Sequence, residues 1–177
     1  MQYNEFLKIG MEEIHVDVPP GIDHHCFACS QKNSVGLHLR FFSSSSPEYS
    51  NKVFSKFKVF YDFCGFPRYA HGGILATLLD EVMAHTVYRK FKRYGVTKEL
   101  SLRYLKPVLI EQYIYIQGEI NLEQNIDISQ KKFEVQVYGK IFSSDNGVLD
   151  PNPVINVKGK AQMVILPLER YKLNYTK

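Results

Sequence analysis

The stretch His71-Gly72-Gly73-Ile74-Leu75-Ala76-Thr77-Leu78-Leu79-Asp80-Glu81 decides how this chain is read. From Ile74 to about Tyr94 there is neither glycine nor proline, and apolar residues recur at helical spacing. The pattern predicts one long helix opened by the glycine pair. On a wheel of about 100° per residue, Ile74, Leu75, Leu78, Leu79 and Val82 form one broad apolar face. A surface helix carries charge opposite such a face. Here the opposite side carries Ala76, Thr77, Asp80, Ala84 and Val87, and Asp80 is its one charge. The helix is therefore expected to be covered on both sides, by a sheet on one and by a close-packed element on the small-residue side.

A carboxylate on a covered face is costly unless it is paired, so Asp80 has either a structural partner or a chemical role. Glu81 is the rival candidate, nearer the helix edge, where it meets His85 four residues on. His71-Gly72-Gly73 presents first-turn amides that have no partner within the helix, with no side chain in the way. Such a turn receives an anion or a developing oxyanion. Gly73 and Asp80 lie about 10 Å apart along the axis at 1.5 Å per residue, too far for one carbonyl group to touch both. Two helices packed antiparallel across a two-fold axis bring the glycine end of one beside the aspartate of the other. Ala76, Thr77 and Ala84 are small enough to allow it, so the spacing predicts a homodimer with two shared sites, or a dimer of dimers.

Outward from the helix, "GLHLRFF" (36–42) and "KVFSKFKVFYDF" (52–63) precede it as strand-like runs. "TKELSLRYL" (97–105), "QYIYIQGEINL" (112–122), "KFEVQVYGKIF" (132–142) and "VINVKGKAQMVIL" (154–166) follow it. Strands, one long helix and then strands with short connections predict an α+β fold, an antiparallel sheet of about six strands against one helix. Residues 1–23 read as a leading segment, 24–170 as the single domain and 171–177 as a tail.

At 177 residues, with 45% apolar and 23% charged residues, the composition is that of one ordinary globular domain. A net charge of +4 suits an anionic small molecule and is too weak for a nucleic-acid footprint. The basic run Arg89-Lys90-Phe91-Lys92-Arg93 reads as cations at the carbonyl end of the helix. The opening "MQYNEFLKIGMEE" has no signal-peptide pattern, and no apolar run nears the roughly 20 residues that span a bilayer. Three cysteines fit a reducing compartment. A cytoplasmic protein with neither nucleic acid nor membrane as partner is expected.

"HHCFAC" (24–29) looks like half a metal site. Zinc takes four ligands, usually two close pairs, and beyond Cys26 and Cys29 the chain has only Cys64. His24 and His25 are adjacent, and adjacent residues rarely converge on one metal. A redox CxxC opens a helix, whereas "SQKNSVG" (30–36) reads as loop. No metal is expected, and the segment is expected to pack its Cys and Phe against the first strand.

"HGGILATLLDE", preceded by "GFPRYA" and followed by "GVTKELSLRYLKPV", resembles the hotdog-fold acyl-CoA thioesterases of the phenylacetic-acid-degradation type. "CFACSQKNSVGLHLRFF" resembles a Cys-Phe-x-Cys leader found in one branch of that family, and the likeness covers roughly residues 24–165. The resemblance implies a hotdog fold and hydrolysis of an acyl-CoA, whose coenzyme A is substrate, with no further cofactor. It implies Asp80 as the catalytic carboxylate, the Gly73 amide as the group that polarises the thioester carbonyl, His71 as part of the acyl-thioester pocket and Thr97 as a positioner of water. Gly72 and Glu81 would line the substrate site, and Arg103 and Lys106, with Lys131 and Lys132, are candidates for the CoA phosphates. Where some relatives carry Asn six residues before the histidine, this chain has Gly65. A non-catalytic acyl-CoA-binding protein and a hotdog hydratase or dehydratase are the alternatives.

Overall fold

The computed structural model describes residues 3–18, 23–121 and 126–167. The chain opens with helix α1 (Asn4–Lys8) and two short strands, β1 (Glu12–Glu13) and β2 (Phe42–Ser43), before β3 (Lys52–Lys58). The long helix α2 (Gly72–Phe91) follows, then β4 (Gly95–Tyr104), β5 (Tyr113–Ile120), β6 (Phe133–Ser143) and β7 (Val154–Ile165). Among the described residues these form one seven-stranded antiparallel sheet in the order β1-β2-β3-β5-β6-β7-β4. The antiparallel sheet expected from the sequence is thus present and extended by β1, but of the run 36–42 only Phe42 is strand, since the Leu37 and Leu39 amides bond the Phe27 and Ala28 carbonyls of the preceding loop. Residues read as a leading segment supply β1 and α1. The tail 171–177 lies outside the described residues.

The sheet wraps α2 because its central strands make room for it. Gly118, Gly139 and Gly159 face one another across β5, β6 and β7. A Cβ at Gly118 would sit 3.0 Å from the Val82 carbonyl oxygen, and one at Gly139 would sit 2.9 Å from Leu79 Cδ2. The glycine row is a trough in which the helix backbone lies close to the sheet. Into it point Leu75, Leu78, Leu79, Val82, Met83 and Val87, all buried with strand residues such as Val53, Ile114, Val137 and Met163. Val87, placed by the wheel on the small-residue side, belongs to this core. Ile74 is only half-buried, as are Ala76, Thr77, Asp80 and Ala84.

A second core lies where α1 packs on the sheet, with Phe6, Met11, Phe42, Phe54, Tyr115 and Phe142 buried together. Phe6 stacks on Phe42 with centroids 4.6 Å apart. The helix ends three residues before Tyr94, because Lys92 takes the left-handed conformation (φ 52°) and its amide bonds the Tyr88 carbonyl. The basic run then ties elements together. Arg89 donates to Ser43 Oγ at 2.8 Å, and Arg93 donates to the Leu166 and Gln130 carbonyls. No described helix is long and apolar enough to cross a membrane.

Candidate active site

The start of α2 is built by His71. Its backbone is extended (φ −65°, ψ 131°), and its ring Nδ1 accepts the Gly73 N–H at 2.9 Å, so it caps the helix with its side chain. The Ile74 and Leu75 amides reach the His71 carbonyl at 3.0 and 3.3 Å. Of the first-turn amides, the one with no hydrogen-bond partner among the described residues is therefore that of Gly72. The resemblance gives the carbonyl to the Gly73 amide; in this structure that amide donates to His71 Nδ1, and the Gly72 amide is the one without a partner among the described residues. Both glycines suit their neighbours, since a Cβ at Gly73 would press the His71 ring at 3.0 Å. Gly65 lies under the same histidine, where a Cβ would be 2.9 Å from His71 Cα. No asparagine fits there without moving the loop.

Beside this turn a cleft of about 240 Å³ is lined by Tyr69, Gly72, Leu75, Tyr104, Lys106 and Val108 among others. Tyr104 donates its hydroxyl proton to the Gly72 carbonyl at 2.9 Å and so fastens β4 to the helix start. Sequence reasoning missed Tyr104, which nothing in the strand pattern sets apart from its neighbours. Lys106 lines the cleft. Arg103 alternates with Leu102 and Tyr104, so it projects from the other face of the sheet. Lys131 and Lys132 lie by Arg93, near the far end of α2, which at 1.5 Å per residue is about 28 Å from Gly72.

Asp80 sits in the middle of α2, half-buried, and accepts a hydrogen bond of 2.6 Å from Thr97 Oγ1. Burial pushes its carboxyl above the usual carboxylate range; the Thr97 bond opposes that rise and the charge of Glu81 adds to it. The pairing with Thr97 depends on a β-bulge. Thr97 pairs with Met163 while Glu99 pairs with Gln162, so Lys98 is the extra residue on β4. Met163, Ala161, Gly159 and Val157 all face α2, and their partners Thr97, Leu100, Leu102 and Tyr104 face it with them.

Glu81 turns away from Asp80. Its Oε1 lies 3.3 Å from His85 Nε2, the expected i,i+4 contact, and 3.7 Å from Cys26 Sγ. Burial raises the Glu81 carboxyl, but the hydrogen bond and charge of His85 and the two nearby thiols outweigh it and hold the group low. Cys26 and Cys29 do pack against the main core with Leu39 and Ala28, as expected, but Phe27 is 44% exposed and Ala28 takes the buried place. The Cys29 thiol holds the Cys26 thiol down to about 7 while its own is pushed up.

A sequence model of the thioesterase superfamily matches residues 68–122, the segment that holds His71, Gly72, Gly73, Asp80 and Thr97. An uncharacterized protein of Schizosaccharomyces pombe is 41% identical over 49 residues, 27% of this chain and 28% of that one. The match thus spans little more than a quarter of that relative's length. Among solved structures, a thioesterase superfamily protein superposes with a TM-score of 0.62 at 21% identity, covering 79% of this chain and 60% of its own. A hypothetical thioesterase of Streptococcus pneumoniae, solved with coenzyme A, gives 0.53 at 22% identity over 67% of this chain and 80% of its own. An acyl-CoA hydrolase of Staphylococcus aureus gives 0.55 at 18% over 68% and 69%. The fold is the hotdog fold, and the thioesterase superfamily model matches it over residues 68–122, less than half of the chain.

Proposed function

We propose that this protein hydrolyses an acyl-CoA thioester to the free acid and coenzyme A. The observation that carries the reading is the Asp80 carboxylate, half-buried on a helix face of small residues and held by Thr97 at 2.6 Å. Burial makes it more basic than an exposed aspartate, which suits a group that takes a proton from water. A thioester carbonyl is electrophilic enough that a positioned carboxylate and an oxyanion donor suffice. With Oδ1 bonded to Thr97, Oδ2 is the oxygen that meets water or, in a nucleophilic route, the acyl carbon itself. The Gly72 N–H at the cleft receives the oxyanion, with His71 and Tyr104 fixing the turn that carries it.

The donor and the base sit on different turns of one helix, so the complete site is shared between two copies. β4 supports this: it ends the sheet among the described residues, and Val96, Leu100 and Tyr104 are exposed on it. An outer ten-residue edge with exposed Val96, Leu100 and Tyr104, beside the half-buried Ala76, Thr77 and Ala84, is a surface for a second copy. The coenzyme A seen with the Streptococcus pneumoniae structure supports the substrate class, and Lys106 is the cation this cleft offers to it.

Release of free thiol from a panel of acyl-CoAs differing in chain length and aromaticity tests the reading. Hydrolysis of at least one is expected. Binding without thiol release would leave a carrier instead, and water addition to an enoyl-CoA without thiol release would leave a hydratase.

A further inference from the structure

Away from Asp80, five potential ligands from two distant parts of the chain meet. His24, Cys26 and Cys29 present one nitrogen and two sulfurs, all within 4.8 Å of one another; Cys29, Glu81 and His85 form a second such group. Cys29 Sγ is 3.5 Å from His24 Nε2, and Cys26 Sγ is 3.7 and 3.9 Å from the two Glu81 oxygens. With zinc–sulfur bonds of about 2.3 Å and zinc–nitrogen or –oxygen bonds of about 2.0–2.2 Å, tetrahedral ligation sets sulfur about 3.6 Å from nitrogen or oxygen. The Cys29–His24 and Cys26–Glu81 spacings are each that of a ligand pair on one ion, and Cys29 belongs to both groups. A cavity of about 130 Å³ lies among His24, Cys26, Cys29, Glu81, Ala84 and His85.

The loop that carries these groups is fixed by its own bonds. The Ala28 amide donates to Cys26 Sγ at 3.3 Å, a bond that favours thiolate, and the Ser30 amide closes the turn on the Cys26 carbonyl. Ser30, itself buried, donates its hydroxyl to the His24 carbonyl at 2.7 Å. On the helix side the His85 ring stacks on Phe41 with centroids 3.6 Å apart. Its buried Nδ1 has no partner among the described residues, and Nε2 is the nitrogen that faces Glu81, at 3.3 Å.

We propose that His24, Cys26, Cys29 and Glu81 form a four-coordinate site for a borderline-soft divalent cation, zinc in the first place, with His85 holding Glu81 from outside the ligand set. Two thiolates, an imidazole and a carboxylate are a closed zinc donor set. Loading exchanges two thiol protons, released to solvent, for two sulfur–metal bonds. The ion pins the loop before β2 to the middle of α2, one residue from Asp80. It does not depend on the thioester chemistry. The fourth ligand comes from α2, 55 residues from Cys26, and is a carboxylate, which a search for a second close-spaced Cys/His pair does not register.

The test is metal content of the full chain purified without chelator, followed by stripping and titration with Zn²⁺ and with Co²⁺ as a spectroscopic probe. One zinc per chain is expected, and the Co²⁺ form should show thiolate charge-transfer and intense tetrahedral visible bands. His25→Ala should load as wild type, Cys29→Ala should lose the thiolate bands, and Glu81→Gln should weaken zinc binding more than His85→Phe, whose loss is expected at about ten- to a hundredfold. Zinc should raise the melting temperature of the stripped wild type. Sub-stoichiometric uptake with no thermal shift would overturn the site without recourse to any variant. Octahedral Co²⁺ spectra, or Cys29→Ala binding like wild type, would overturn it too. Loss of binding in His85→Phe with none in Glu81→Gln would overturn the ligand assignment.

Discussion

Asp80 and Thr97 are where a single atom matters most. Asp80→Asn keeps the side-chain volume and a hydrogen-bonding partner for Thr97 while removing basicity. Turnover of the preferred acyl-CoA should fall at least about a hundredfold, the lower end for loss of a positioned base. The melting temperature should hold or rise, since a charge that burial disfavours has gone. Thr97→Val tests the partner: losing the 2.6 Å bond should lower kcat about tenfold or more with little change in KM, and Thr97→Ser should restore most of it. Unchanged kcat in Thr97→Val would remove Thr97 from the mechanism. Both residues were visible in the sequence, Asp80 as a charge on a small-residue face and Thr97 through resemblance. The cap of His71 on Gly73 was not, because an imidazole accepting a first-turn amide leaves no periodic trace.

Among the elements, α2 and the five strands β3 to β7 were legible because period and breakers agree over each of them, whereas of the run 36–42 only Phe42 is strand. What the pattern does not carry is register. Gly118, Gly139 and Gly159 stand far apart in the chain and become a row only once β5, β6 and β7 are paired. Gly118→Ala should cost about 1–3 kcal/mol in urea unfolding, because the added methyl meets helix backbone at the Val82 carbonyl, which cannot swing away. A loss below about 0.5 kcal/mol would mean that α2 floats on the sheet instead of seating in it. β1 was illegible for another reason: two acidic residues have no strand signature, and Phe41, Phe42 and the α1 core recruit them.

For the molecule as a whole, the open β4 edge and the split between Gly72 and Asp80 point to the same expectation. Leu100→Glu places a charge on the exposed edge on the α2 side. It should move the sedimenting species from dimer or tetramer toward monomer and abolish turnover in proportion. Full activity in a monomer would show that one chain completes the site alone. The bulge at Lys98 has one more effect. β4 is read in two frames: up to Thr97 its odd-numbered residues face the helix, and from Leu100 its even-numbered ones do. Deleting Lys98 merges the frames: Thr97 stays opposite Met163 and Glu99 opposite Gln162, so Thr97 should still face the helix, now from a strand without the local kink. The variant should keep most of its turnover, with its sheet intact by circular dichroism; a loss as large as that of Thr97→Val would show that the kink itself aims the hydroxyl at Asp80. In any chain of this fold that lacks the extra residue, the hydroxyl serving the helix carboxylate must be sought one position away from where a gap-free alignment puts it.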